Sequence, residues 1–179
     1  MYKYIAFLRA INVGGRNVKM DRLREIFESM AFSNVKTYIA SGNVVFENLS
    51  KDTARLEKRI EKNLKESLGF EVATFLRSDS ELAAIANYKP FPKPKTDSAS
   101  ALNVAFLSAP LDDKSKKLLM TLKSDIDDFH VHGREVYWLC LKKQSESKFS
   151  NAVLEKTLGI KSTMRGINTV KKMAEKYAA

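Results

Sequence analysis

A single cysteine, Cys140, stands among 179 residues, so no internal disulfide can staple this chain. It sits in the apolar run Val136 to Leu141 and reads as a buried small hydrophobe, not a nucleophile. No apolar stretch approaches the roughly 20 residues that a membrane-spanning helix needs. Met1 to Leu8 lacks the long apolar segment and small-residue cleavage site of a secretory signal. These absences predict a cytoplasmic protein with no membrane partner. Only two histidines are present, His130 and His132, two apart on one face of a predicted strand. Metal sites take three or four ligands, and no Cys, Asp or Glu completes a set at a natural spacing, so no metal is expected. No cofactor can be named. There is no Gly-x-Ser-x-Gly elbow. Gly14-Gly15 has neither the Gly-Lys-Ser/Thr ending of a phosphate-binding loop nor the full glycine pattern of a dinucleotide loop. Catalytic residues are therefore unassigned.

What is present is ordinary globular composition with a basic balance. The net charge is +10, from 17 basic against 11 acidic residues over 1–95 and 14 against 10 over 96–179. The excess is spread along the chain. It suits an anionic partner such as a phosphate-bearing small molecule or a nucleotide, and equally suits lysines that are simply solvated.

Periodicity divides the chain into alternating strands and helices. Tyr2 to Arg9 reads as a strand, and Met20, Leu23, Ile26, Phe27 and Met30 recur at helical spacing. Val35 to Asn48 reads as two strands joined at Ser41-Gly42-Asn43. Asp52 to Leu68 is helical, with Asp52 as its N-cap and Gly69 as its C-terminal cap. Phe70 to Arg77 is a fourth strand, and Ser78 caps a short helix. Tyr88 to Lys95 carries three prolines and reads as an extended linker with no regular structure. The order then repeats, with strands over Ala101 to Ser108, Phe129 to His132, Glu135 to Lys142 and Ile160 to Arg165. Helices fall over Asp112 to Lys123, Asn151 to Leu158 and Asn168 to Tyr177.

The halves match element by element. Tyr4-Ile5-Ala6-Phe7-Leu8 parallels Asn103-Val104-Ala105-Phe106-Leu107, and Thr74-Phe75-Leu76-Arg77 parallels Ser162-Thr163-Met164-Arg165. Duplication explains such self-similarity. The expected fold is α+β: two tandem ferredoxin-like βαββαβ repeats, each with an antiparallel sheet of order 4-1-3-2 and an extra helix. The expected divisions are a first unit over 1–88, a Pro/Lys linker over 89–98 and a second unit over 99–179.

In this topology the end of the first strand and the hairpin turn share a rim. Asn12, Gly14, Gly15 and Arg16 then fall beside Ser41, Gly42 and Asn43, with Arg9 close by. Glycines let backbone N–H groups approach an anion, and Arg9 and Arg16 supply charge-assisted bonds. The alternative is that these are turns needing glycine for positive φ, a reading that suits Gly42 best.

Leu8-Arg9-Ala10-Ile11-Asn12-Val13-Gly14-Gly15 and Lys36 to Phe46 resemble the bacterial domain-of-unknown-function family 1697. Lys148 to Asn151 and Thr163 to Val170 resemble it too. The resemblance implies a tandem ferredoxin-like fold and no assigned activity. The chain departs from the family's usual Gly at Ala10 and from its usual Asn-Trp at Gly166-Ile167. Lys148, Ser150, Asn151, Arg165, Asn168 and Thr169 make a second polar cluster.

Three readings follow. The first is a protein that binds a phosphate-bearing ligand at the glycine-rich rim. The second is an enzyme acting on a nucleotide or phosphorylated metabolite, which would need a general base that the rim lacks. The third is a nucleic-acid-binding module, disfavoured because strand one is apolar on both faces and offers no stacking platform. Monomer and homodimer stay open.

Overall fold

Two four-stranded antiparallel sheets organise the chain. The computed structural model describes residues 1–39 and 42–178. In chain order the elements are β1 (Tyr2–Leu8), α1 (Met20–Ser29), β2 (Ser33–Tyr38), β3 (Asn43–Asn48), α2 (Thr53–Leu68), β4 (Thr74–Ser78) and α3 (Asp79–Asn87). They continue with α4 (Lys93–Ser98), β5 (Ala101–Phe106), α5 (Asp113–Met120), β6 (Asp127–His132), β7 (Glu135–Cys140), α6 (Asn151–Leu158), β8 (Thr163–Gly166) and α7 (Ile167–Tyr177). The sheets run β2-β3-β1-β4 and β6-β7-β5-β8, the order expected of tandem ferredoxin-like units. By compactness one unit is Met1–Ala83 with Met173–Ala179, and the other is Ala84–Lys172.

In the first unit, Leu23, Ile26 and Phe27 of α1 and Leu56, Ile60 and Leu64 of α2 line one stripe per helix. They pack on Tyr4, Ala6, Leu8, Val44, Phe46 and Leu76 from one face of the sheet. Full burial of such a side chain contributes about 1.5–3 kcal/mol. On the other face Ile5, Phe7, Val45 and Phe75 are buried as well, so this sheet exposes no aromatic row. The caps of α2 follow the sequence: the Asp52 carboxylate accepts the Arg55 N–H at 3.0 Å, and Gly69 turns left-handed at φ 82°. The edge strand β4 is covered by α2. Glu57 accepts the Leu76 N–H at 2.9 Å and Glu61 accepts the Thr74 N–H at 3.2 Å.

The second unit repeats the plan, with Ala105, Val136, Trp138 and Cys140 facing Leu119 and Leu154. Asp112 and Ser150 cap α5 and α6, and Gly159 ends α6 left-handed.

The proline-rich segment departs from expectation. Lys93–Ser98 is helical, because Pro94 falls in the first turn, where a missing N–H breaks no helical bond. The segment is also tied to β6. Tyr88 stacks on His132 with centroids 3.8 Å apart, its hydroxyl lies 2.7 Å from His130 Nε2, and Lys95 bonds Asp128. It therefore groups with the second unit.

Candidate functional site

The first-unit rim forms where β1 ends. Leu8 N–H donates to the Gly42 carbonyl at 2.8 Å, and Arg9 N–H donates to the Ala73 carbonyl at 2.9 Å. The loop beyond is closed by its own bonds. Asn12 N–H donates to the Arg16 carbonyl at 2.9 Å, and Asn12 Oδ1 accepts the Val18 N–H at 2.7 Å. Four residues turn left-handed here: Ala10 and Asn12 at φ 59°, Gly14 at 61° and Gly15 at 83°. A Cβ on either glycine would meet nothing within 4 Å. Val13 to Asn17 are exposed, and the Arg16 guanidinium sits 4.9 Å from the Phe70 ring centroid.

Gly42 stands against this loop. A Cβ there would lie 3.0 Å from Ile11 Cβ and 3.2 Å from Leu8 Cβ, at φ 81°. The glycine is thus required by close approach of the hairpin to the end of β1, and the two segments are neighbours as the topology predicts. Asn43 is fully buried, and its Nδ2 donates to the Tyr38 carbonyl at 2.9 Å. Asn12 and Asn43 therefore spend side-chain bonds on building the rim, while Gly14, Gly15 and Arg16 face outward. Ser41 lies outside the described residues.

The second polar cluster separates into distinct places within its unit. Ser150 Oγ caps α6, accepting the Val153 N–H at 3.3 Å. Asn151 holds the residue before β8, its Nδ2 donating to the Ser162 carbonyl at 2.9 Å, while Glu155 accepts the Ser162 N–H at 2.9 Å as Glu61 accepts that of Thr74. Arg165 is buried, and its Nη1 donates to Thr163 Oγ1 at 2.7 Å and to the Met164 carbonyl at 2.8 Å. Burial lowers its pKa to about 10. Lys148 lines a cleft of about 510 Å³ beside Asp125, Asp127 and Glu146. Asn168 and Thr169 line a different cleft of about 610 Å³.

That second cleft also holds Asn103, Lys143 and Lys171, which sequence reasoning passed over. The signal was in the repeat, where Asn103 stands opposite Tyr4 and a small polar residue replaces a large ring. No set of three or more His, Cys, Asp or Glu arranged to hold a metal occurs among the described residues, and none of their helices is long and apolar enough to cross a membrane.

The chain is similar over its whole length to the conserved bacterial protein SP0830 from Streptococcus pneumoniae, with a TM-score of 0.75 and 22% identity. The alignment covers 100% of this chain and 99% of that one, and at this identity it shows the shared fold. No curated protein matches the chain. Residues 1–137 match the family described as protein of unknown function, DUF1697, which takes in β1 to α3, the glycine loop and the chain on into β7. The chain therefore belongs to the DUF1697 family.

Proposed function

We propose that this protein binds a phosphate-bearing small ligand, nucleotides included, at the glycine-rich loop of its first unit. One observation carries the reading: Gly14 and Gly15 are exposed, left-handed and open where a side chain would stand. Successive amides in a turn form anion-binding concavities. Arg16 adds an exposed residue with a guanidinium at the same place, and residues 9–20 contain three cations and no carboxylate. The loop has no histidine or acid to serve as a general base, which favours binding over catalysis. The buried faces of the first sheet offer no platform for stacking bases.

A thermal-shift screen against nucleotides, phosphosugars and cofactors tests this reading. A ligand raises the melting temperature by mass action. Arg16→Ala is expected to weaken that ligand about tenfold, the effect of one charge-assisted bond, and to leave the unliganded melting temperature unchanged. A ligand whose shift is indifferent to Arg16→Ala would remove the loop from consideration.

A further inference from the structure

We propose that the second unit carries its own binding site for a phosphomonoester, at the start of α7, with the Asn103 side-chain amide as its buried donor. This site is built from other residues than the Gly14-Gly15 loop and goes beyond the reading above.

Asn103 is 8% exposed, and its Nδ2 is the one buried side-chain nitrogen or oxygen among the described residues without a hydrogen-bond partner. A buried donor is stabilised when it gains an acceptor, and a ligand oxygen in the cleft would supply one. Asn103 lines the 610 Å³ cleft together with Lys143, Gly166, Asn168, Thr169 and Lys171. Among the described residues no carboxylate side chain lines it. The cleft therefore presents donors and positive charge, and the complementary group is an oxyanion.

The first unit shows why the cleft is open. Tyr4 pairs with Ser78 on neighbouring strands, and Asn103 pairs with Gly166 in the same register position. Ser78 and Glu81 close the start of α3 reciprocally: Ser78 Oγ accepts the Glu81 N–H at 3.1 Å, and Glu81 Oε2 accepts the Ser78 N–H at 2.8 Å. Tyr4 fills the adjoining space, its hydroxyl donating to the Ser50 carbonyl at 2.6 Å. In the second unit Gly166 replaces Ser78, Thr169 replaces Glu81 and Asn103 replaces Tyr4. Glycine has no side chain to cap α7, whose first residues line the cleft, and uncapped helix-start amides bind anions. Space does not demand this glycine, since a Cβ at Gly166 would lie an ordinary 3.9 Å from Asn103 Oδ1. A cleft of this volume accommodates more than a bare ion, which points to an ester.

The test is a titration of the ¹⁵N-labelled full chain with ribose 5-phosphate, with inorganic phosphate and ribose as separate arms. Saturable shifts are expected at the Asn103 side-chain amide and at the amides of Gly166 to Thr169, and the same shifts are expected in Arg16→Ala. The double substitution Gly166→Ser, Thr169→Glu transplants the first unit's cap. It is expected to weaken binding about tenfold or more, as loss of helix-start donors requires, while raising the melting temperature. Absence of saturable shifts, or undiminished binding by the capped variant, overturns the site. Loss of the shifts in Arg16→Ala would give the ligand to the first-unit loop instead. Binding of inorganic phosphate as tight as that of the ester overturns the ester assignment, and the same shifts with ribose alone overturn the role of the phosphate.

Discussion

Arg77 and Arg165 hold the same place in the two units: each lies on the last strand, is buried, and donates Nη1 to the carbonyl of the residue before it, Leu76 or Met164, at 2.8 Å. Their cross-strand partners, Ile5 and Val104, are also equivalent. Burial disfavours the charge on Arg165, lowering its pKa to about 10. Arg165→Ala is expected to cost about 2–4 kcal/mol through lost volume and unpaired acceptors. Arg165→Met is expected to cost less, because a chain of similar length fills the space without a charge. Urea denaturation of the two variants measures the difference, and equal losses would mean that the guanidinium bonds outweigh packing.

Ala10 holds a left-handed backbone at φ 59°. An L side chain in this conformation costs about 1–2 kcal/mol relative to glycine. Ala10→Gly is therefore expected to stabilise the protein by about 1 kcal/mol, after the extra chain entropy that glycine loses. A lower denaturation midpoint would contradict the strain.

The glycines of the rim differ in kind. Gly42→Ala combines a left-handed φ with a Cβ 3.0 Å from Ile11, and a loss of about 2–4 kcal/mol is expected. Gly14→Ala meets only the backbone penalty, since its surroundings are open, and about 1 kcal/mol is expected. Thermal denaturation of the pair checks the order; equal effects would show that the Ile11 contact relaxes freely.

Asp128 carries a pH dependence. Burial pushes its carboxyl pKa up, but the Lys95 bond, the Phe129 N–H and the Lys95 and Lys123 charges pull it further down, below the usual carboxylate value. A depressed folded pKa contributes stability above the unfolded value, near about 4. That contribution fades as pH falls through the lowered folded value. Asp128→Asn is expected to be less stable than the parent at neutral pH and equal to it in strong acid. A gap that persists in acid would assign the effect to packing.

Much of the scaffold was legible. Strand and helix order, the Asp52 and Gly69 caps and the meeting of Gly42 with the β1 terminus all follow from local pattern and topology. The helix at Lys93–Ser98 was hidden because proline count outweighed proline position. The second polar cluster divides in the structure: Asn168 and Thr169 line the cleft that holds Asn103. Asn151 and Arg165 read as ligand groups, yet they bind Ser162, Thr163 and Met164.

The sequence by itself determined the likeness of the two halves, the βαββαβ order of each unit and the positions of its turns, because periodicity, capping and glycine placement act over a few residues. Only the tertiary structure decided which polar side chains are bonded within the fold. Asn12 and Asn43 close the rim, Lys148 and Asn168 fall on separate clefts, and Asn103 is left with a buried donor and no partner. Partnership of this kind depends on cross-strand register and burial between residues far apart in the chain, which local pattern does not encode.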